Sequence, residues 1–200
     1  MATLHVGLTG NVAAGKSTVA ELFRRWGATI IDADEIVRDL QAPGGAVLAA
    51  IVERFGSKVL HSDGGLNRSA LRAMVLADPR ALADLNALVH PAVAARRREL
   101  LAEARRRRDR IVVSDVPLLF EADDPAGFDA VVLVDASATV RRARLAERGL
   151  PADEAERLMA AQHPAADKRA RSHFVIDNGG DRASLERAAR QVWTALLARA

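Results

Sequence analysis

The sequence has no cysteine, no tyrosine and no long apolar run. Without cysteine, the chain can form neither a disulfide nor a cysteine-based zinc site. No segment approaches the roughly 20 apolar residues that a helix needs to span a bilayer. The first residues carry no basic segment followed by an apolar one, so we expect no secretory signal. Together these absences favour a cytoplasmic protein without a membrane partner.

A large excess of one charge is also missing, because 29 Lys and Arg face 26 Asp and Glu, for a formal net charge of +3. A surplus this small is weak evidence for nucleic-acid binding. Aromatic residues make up only 4% of the chain, although proteins that bind single strands commonly stack bases on them. One arginine group precedes the third predicted strand: Arg96, Arg97, Arg98, Arg105, Arg106, Arg107, Arg108 and Arg110. We interpret this group as a solvated helix face and predict no nucleic-acid partner.

What the sequence does have is an alternation of short apolar strands and amphipathic helices. Residues 4–8 form the first predicted strand, residues 16–26 have helical apolar spacing, and residues 29–31 form the second strand. This order predicts a parallel sheet. Further strands are predicted at 111–113, 130–134 and 174–176, with a loop at 121–129 and a closing helix at 184–199. We therefore predict an α/β fold with a parallel five-stranded sheet flanked by helices.

The stretches between these strands are predicted to be mostly helical. Residues 35–110 have turn signals near 42–45, 63–65 and 90–91, whereas residues 139–162 are rich in arginine and interrupted near 149–151. No disordered linker separates the parts, so we expect a single domain over 1–200. Its core is assigned to residues 1–40, 111–135 and 170–200, and residues 41–110 are assigned to a helical insertion.

A glycine-rich loop joins the first strand to the first helix. Residues 10–17 match G-x-x-x-x-G-K-[ST], a pattern whose curled backbone presents successive N–H groups to a phosphate. The helix that begins near Lys16 adds its N-terminal dipole. Lys16 can reach the β- and γ-phosphates of ATP, and the Ser17 hydroxyl can bind Mg²⁺. The residues predicted to bind the nucleotide here are Gly10, Asn11, Val12, Ala13, Ala14, Gly15, Lys16, Ser17 and Thr18.

Carboxylates follow two of the predicted strands. Asp32 and Asp34 come after the second strand, and Asp115 comes after the third. Ligands of open α/β sheets bind beyond the carboxyl ends of the strands, so we expect these side chains to project toward the phosphate loop. Asp34 or Asp32 could accept or orient the proton of an attacking hydroxyl, unless it only caps the next helix. Asp115 could bind Mg²⁺ directly or through water.

A second arginine group follows the fourth predicted strand and comprises Arg141, Arg142, Arg144 and Arg148. Arg144 and Arg148 are four residues apart, so they share a helix face. P-loop kinases often carry a mobile lid at this point, and a lid arginine can neutralise charge on the phosphoryl group in transfer. We therefore predict a catalytic contribution from Arg148 or Arg144.

Several short stretches make nearly the whole chain resemble one family, the dephospho-CoA kinases. They are G-L-T-G at 7–10, I-D-A-D at 31–34, V-H-P at 89–91, D-V-P-L-L-F-E at 115–121, A-Q at 161–162 and V-I-D-N-G-G at 175–180. The phosphate loop is common to many nucleotide-binding proteins, whereas the stretch at 115–121 and the pair Asp32 and Asp34 are far more discriminating. The resemblance implies a P-loop fold like that of nucleoside-monophosphate kinases, with a helical substrate-binding region and a lid at about 138–165.

The resemblance also implies a reaction, in which ATP phosphorylates the ribose 3′-hydroxyl of dephospho-CoA to give CoA and ADP. It favours Asp34 as the base and places Arg148, with Arg144 as a second candidate, over the phosphates. Asn178, in the segment 175–179, would lie near the adenine of ATP. The residues implied to contact the acceptor are Asp34, His90, Pro117, Leu118, Leu119 and Glu121.

The chain departs from the usual family pattern at a few positions. Asn11 stands where a second glycine is usual, and residues 12–14 are Val-Ala-Ala where Ile-Gly-Ser is common. Because Asn tolerates unusual backbone angles, we expect the loop still to form. Residues 172–173 are Ser-His where Ala-Asp is usual. An arginine-like residue is usual soon after Gln162, but residues 164–165 are Pro-Ala here, although Lys168 remains.

Other classes share part of this pattern. A P-loop kinase for a nucleoside, gluconate or shikimate would have the same loop, but it would lack the 115–121 stretch in this form. A GTPase needs an Asn-Lys-x-Asp motif, and none of the four asparagines begins one. We therefore predict a kinase that uses ATP and Mg²⁺ to phosphorylate dephospho-CoA, and we keep a kinase for another small-molecule hydroxyl as the alternative.

Overall fold

A computed structural model describes residues 2–122 and 125–200, and its centre is one parallel sheet. The strands are β1 (Leu4–Gly10), β2 (Thr29–Asp32), β3 (Ile111–Asp115), β4 (Ala130–Asp135) and β5 (Phe174–Asp177). They lie in the order β2-β3-β1-β4-β5. β1 pairs in parallel with β3 and with β4, and β4 pairs in parallel with β5. The predicted five-stranded parallel sheet is confirmed, whereas residues 123–124 of the predicted loop at 121–129 lie outside the described residues.

Ten helices are found in the described part of the chain. They are α1 (Lys16–Arg25), α2 (Ala33–Leu40), α3 (Ala46–Phe55), α4 (Arg68–Ala77), α5 (Pro79–Arg107), α6 (Leu119–Ala122), α7 (Ala138–Glu147), α8 (Ala152–Ala160), α9 (Ala165–Ala170) and α10 (Arg182–Leu197). Single 3₁₀ turns lie at Ser57–Val59 and Pro125–Gly127. Across residues 2–122 and 125–200, no helix combines the length and the apolar character needed to cross a membrane.

The chain forms two compact units. The first takes in the residues up to Ile31 together with Glu103–Ala200, and it contains the sheet. The second is the helical stretch Asp32–Ala102. The insertion assigned to 41–110 overlaps this second unit. That it binds substrate stays a prediction.

In the first unit, β1 and β4 are buried along their whole length, as expected for parallel strands with both faces covered. An aromatic cluster joins α1 to α10 over the sheet. The ring of Phe23 lies 5.5 Å from that of Trp193 and 6.1 Å from that of Trp26. The Arg190 guanidinium carbon lies 3.6 Å from the centre of the Trp26 ring. This packing fixes α1, and therefore the loop that precedes it, against the end of β1.

The second unit has a core of its own, and one prediction about it is wrong. The turns near 42–45 and 63–65 are confirmed, but Pro91 lies inside α5 and not in a turn. A proline within a helix costs about 3 kcal/mol. Apolar side chains on both sides of it, Val89 and Val93, pack into the same cluster as α3 and α4. This packing keeps the helix continuous through Pro91.

Candidate active site

The loop between β1 and α1 requires glycine at both ends. A Cβ added at Gly10 would lie 2.6 Å from the carbonyl oxygen of Val134 on β4. A Cβ added at Gly15 would overlap the Nδ2 atom of Asn178, and Gly15 has a φ of 98°, which favours glycine. The first and last glycines of the motif are therefore fixed by close approaches of the backbone to neighbouring strands and loops.

Several backbone donors of this loop have no partner within the part of the chain that the structure describes. They are the N–H groups of Ala13, Gly15, Lys16 and Ser17. The first turn of α1 contains no acidic residue, and no side chain caps it. Unpaired N–H groups and the positive end of the helix dipole favour an anion. The loop therefore fits a phosphate group.

The carbonyl side of the loop is bound by two side chains from elsewhere in the chain. Nη1 of Arg144 donates to the oxygens of Ala13 and Ala14 at 3.2 and 3.3 Å, and Nδ2 of Asn178 donates to the Ala14 oxygen at 2.8 Å. In a planar trans peptide, a carbonyl and the following N–H point in opposite directions. Fixing the Ala14 carbonyl therefore turns the Gly15 N–H toward the other side of the loop. The contacts with ATP predicted for Arg144 and Asn178 stay predictions.

The departures at 11–14 are accommodated by packing. Ala13 has a φ of 59°, a left-handed conformation that costs an alanine roughly 1–2 kcal/mol. Its methyl group is buried against Leu145 of α7 and Ala155 of α8, and Val12 packs against the same cluster. Burial of a methyl-sized group contributes about 0.8 kcal/mol, which offsets much of that strain. Asn11 is buried as well.

Lys16 and Asp115 form an ion pair at this edge of the sheet. Asp115 ends β3, where it lies beside Leu8 of β1 in the parallel register. Only 17% of the Lys16 side chain and 7% of the Asp115 side chain are exposed. The carboxylate at the end of β3 therefore lies against the phosphate loop, as the strand pattern predicts. Ser17, the other predicted Mg²⁺ ligand, is exposed on the first turn of α1.

The two carboxylates that follow β2 have different surroundings. Oδ1 of Asp32 accepts hydrogen bonds from the N–H groups of Asp34 and Glu35 at 2.8 and 3.2 Å, so Asp32 caps α2. Asp34 is exposed, and its carboxylate has no partner within residues 2–122 and 125–200. Asp34 therefore offers its whole carboxylate to a ligand, whereas Oδ1 of Asp32 is engaged in the cap. His90, a predicted substrate contact, is exposed on α5.

The stretch predicted to bind the acceptor splits into exposed and buried side chains. The Pro117 carbonyl accepts a hydrogen bond from Oγ1 of Thr9 at 3.4 Å. Leu118 is 46% exposed, whereas Leu119 is fully buried in a cluster with Phe128. Leu118 can therefore face a ligand, and the side chain of Leu119 belongs to the core.

Glu121, the last residue of that stretch, forms a buried ion pair. Nζ of Lys168 lies 2.6 Å from Oε1 of Glu121, and the Lys168 side chain is fully buried. The N–H of His163 donates to the same oxygen at 3.1 Å. Burial alone would raise the pKa of the Glu121 carboxyl, but these two donors outweigh burial and leave that pKa below its ordinary value. Glu121 is therefore a charged link between α6 and the segment that enters α9.

The arginines of the second group differ in burial and in their partners. Arg141 is buried and donates from Nε to the Ala136 oxygen, and Arg142 pairs with Glu156. Arg144 binds the carbonyl side of the phosphate loop. Arg148 caps the end of α7 and is exposed, and its guanidinium has no partner in the described part of the chain. Of this group, Arg148 is the arginine whose guanidinium is available to a ligand.

Sequence reasoning missed two contacts of this site. The N–H of Val12 donates to Oε1 of Gln162 at 2.8 Å, and Lys168 pairs with Glu121. Each joins residues that are far apart in the chain, so no local spacing marks it. The helix α9, which carries Lys168, was also missed, because Pro164 and its short length hide the helical pattern.

A parallel sheet with a phosphate loop after its central strand, and a carboxylate at the end of the neighbouring strand, defines a P-loop nucleotide-binding protein. The family model described as dephospho-CoA kinase matches residues 4–184. The dephospho-CoA kinase of Streptomyces avermitilis is 46% identical over 198 residues, which are 98% of this chain and 96% of the relative. This chain belongs to the dephospho-CoA kinase family.

Solved structures give the same result for the fold. A crystal structure from Thermus thermophilus is similar with a TM-score of 0.81 and 34% identity, and the alignment covers 98% of this chain and 99% of that one. The dephospho-CoA kinase from Campylobacter jejuni is similar with a TM-score of 0.75 and 22% identity over 97% of both chains. At that identity, the second likeness shows the fold alone.

Proposed function

We propose that this protein transfers the γ-phosphoryl group of ATP to the ribose 3′-hydroxyl of dephospho-CoA and releases CoA and ADP. The observation that carries the proposal is the loop at 10–17, whose unpartnered N–H groups stand beside Lys16 in a chain of this family. Such a loop binds the phosphates of a nucleotide. A kinase of this family is a phosphotransferase with an alcohol acceptor, and both proposed substrates are charged metabolites, so we place the reaction in the cytoplasm.

The phosphate side of the reaction uses the loop and two cations. The free N–H groups would bind the β- and γ-phosphates, and Lys16 would neutralise charge on them. Arg148, which is exposed and unpaired within the described residues, would stabilise the charge that develops on the transferred group. Closure of a lid formed by residues 138–165 would exclude water from the phosphates.

The site also suits Mg²⁺. Within residues 2–122 and 125–200, no three or more His, Asp or Glu side chains form a cluster that could bind a metal by themselves. The protein ligands would be the Ser17 hydroxyl and the Asp115 carboxylate, which suit a hard cation that also takes phosphate oxygens. When bound, Mg²⁺ supplies positive charge that stabilises the phosphates during transfer.

On the acceptor side, we assign the base to Asp34. Its carboxylate has no partner in the described part of the chain, whereas Asp32 is used as a helix cap. Asp34 would orient the 3′-hydroxyl and accept its proton. Leu118, Pro117, Glu121 and His90 remain the proposed acceptor contacts, with Leu118 the most exposed side chain of its stretch.

Replacing Asp34 by asparagine should lower kcat by about 100-fold or more, because general base catalysis contributes roughly 10²–10⁴-fold. Asp32→Asn is the matched control, since asparagine caps a helix about as well as aspartate. We expect that variant to retain most of its activity and its thermal unfolding midpoint. Steady-state kinetics on both proteins would decide the assignment, and a larger loss in Asp32→Asn would reverse the two roles.

The function itself is tested by ADP release from ATP with a panel of acceptors. The panel contains dephospho-CoA, adenosine, AMP, gluconate, shikimate and water alone, each with and without Mg²⁺. We expect strong turnover only with dephospho-CoA, with CoA as the product. Turnover with another acceptor would keep the P-loop kinase and reject this substrate. ADP release that no acceptor changes would indicate an ATPase.

A further inference from the structure

The residues that join α8 to α9, together with the first turn of α9, contact both the phosphate loop and Glu121 within the first unit. Gln162 contacts the phosphate loop through its side chain, by accepting the Val12 N–H at 2.8 Å. Next to it, the N–H of His163 and the ammonium of Lys168 both bind Oε1 of Glu121, at 3.1 and 2.6 Å. We call residues 162–168 the connecting segment.

Hydrogen bonding sorts the backbone donors of the phosphate loop into two sets. Val12 donates to Gln162 and Ala14 donates to the Asn11 carbonyl at 3.0 Å, so both are satisfied within the protein. The N–H groups of Ala13, Gly15, Lys16 and Ser17 have no partner in the described part of the chain. Within residues 2–122 and 125–200, Gln162 is therefore the only side chain that accepts a hydrogen bond from one of these backbone donors.

The Val12 peptide needs such an acceptor. Val12 is partly buried, and its side chain packs against the cluster of Leu145 and Ala155. Loss of the Gln162 acceptor would remove a hydrogen bond that contributes about 0.5–1.5 kcal/mol, and the Val12 peptide would then rotate toward solvent to find another acceptor. Because Val12 precedes Ala13, whose φ of 59° is already strained, a rotation there would change the direction of the following donors.

We propose that Gln162 is a positioning residue for nucleotide binding: it satisfies the Val12 N–H and so keeps the next donors of the loop directed at the phosphates. The buried pair of Lys168 and Glu121 fixes the connecting segment that carries it. In this role Gln162 acts through the loop and not by contact with the nucleotide. This inference rests on one part of the proposed function, that the loop binds the phosphates of ATP or ADP. It does not depend on the identity of the acceptor.

The test uses Gln162→Met, which keeps the length of the side chain and removes the acceptor oxygen. Gln191→Ala, at an exposed glutamine of α10, is the control. Amide exchange at Val12, measured by NMR on the protein without nucleotide, should be faster in Gln162→Met only. Calorimetric titration with ADP should show binding weakened by about tenfold in that variant, because the loop must then be ordered on binding.

Kinetics separate positioning from a general loss of structure. In Gln162→Met, we expect the KM for ATP to rise by about tenfold while the KM for dephospho-CoA and the thermal unfolding midpoint change little. ADP binding as tight as in the unchanged protein, or tighter, would overturn the proposal, and so would unaltered exchange at Val12. ADP titration and exchange need no acceptor, so they decide this inference even if the acceptor panel rejects dephospho-CoA.

Discussion

Replacing Lys16 by alanine should lower kcat/KM by at least about 100-fold, the loss expected when one strong electrostatic contact to the transition state is removed. Lys16 stands at the N-terminus of α1 beside the unpartnered N–H groups, and only 17% of its side chain is exposed. A charge in such a place is screened little by water, so its contribution to binding phosphates is large. Without nucleotide, its partner is Asp115.

The measurement is steady-state turnover with ATP and dephospho-CoA, in parallel with thermal unfolding. Lys58→Ala is the control, because Lys58 is exposed on a 3₁₀ turn of the other unit. We expect that control to match the unchanged protein in both respects. If Lys16→Ala turned over at a near-normal rate while folded, Lys16 would have no role in catalysis, and the phosphate-loop assignment would lose its main cation.

The second large effect is expected on stability, at the buried pair of Lys168 and Glu121. Removing one partner of a buried ion pair costs about 3–5 kcal/mol, because the other charge is left without compensation. Lys168 is fully buried and Glu121 is only 13% exposed. We therefore expect Lys168→Met and Glu121→Gln each to lose about that much free energy of unfolding, out of a typical total of about 5–15 kcal/mol.

The double variant makes this prediction specific. When both charges are removed, neither is left buried alone, so Lys168→Met with Glu121→Gln should be more stable than either single variant. Glu156→Gln is the control, because its pair with Arg142 is exposed on both sides, and exposed pairs contribute little. Urea unfolding followed by far-UV circular dichroism measures the free energy of unfolding of these four variants and of the unchanged protein. Equal losses in the singles and the double would mean that packing, and not charge, dominates the site.

The same pair predicts the acid limit of stability. The folded-state pKa of Glu121 is lowered, so the pair stabilises the protein fully above the ordinary glutamate pKa of about 4.3. That contribution is lost as the pH falls below this value and through the lowered pKa. The difference in free energy of unfolding between the unchanged protein and Glu121→Gln should therefore shrink in acid. From about pH 6 to pH 8 that difference should be constant and at its full size.

Local patterns were enough to predict the features that depend on neighbours in the chain. The strand before Gly10 and the helix after Gly15 follow from apolar spacing, and the carboxyl-end rule correctly placed Asp115 against the loop. The roles of Asp32 and Asp34 could not be distinguished by this rule. Either carboxylate could reach the first turn of α2, and only the hydrogen bonds show that Asp32 caps it.

Other features depend on packing between distant segments. Pro91 was predicted to break a helix, yet apolar contacts on both sides keep α5 continuous. The bond between Gln162 and Val12 joins positions 150 residues apart, and no periodicity in the sequence marks it. The hydrogen bonds of Arg144 to the Ala13 and Ala14 carbonyls likewise join distant positions, and no local spacing marks them. Residue type indicated that Gln162 and Arg144 would form hydrogen bonds, but it did not indicate their partners.

The aromatic cluster of α1 and α10 determines what optical experiments can detect. Trp26 and Trp193 are the two tryptophans of the chain, their rings lie 6.2 Å apart, and there is no tyrosine elsewhere. Tryptophan fluorescence therefore originates from one place in the first unit, and Asp32–Ala102 contributes none of it. A fluorescence melting curve reports the sheet unit alone. Unfolding of the helical unit by itself would leave the fluorescence signal unchanged, although it would reduce the helical signal in circular dichroism.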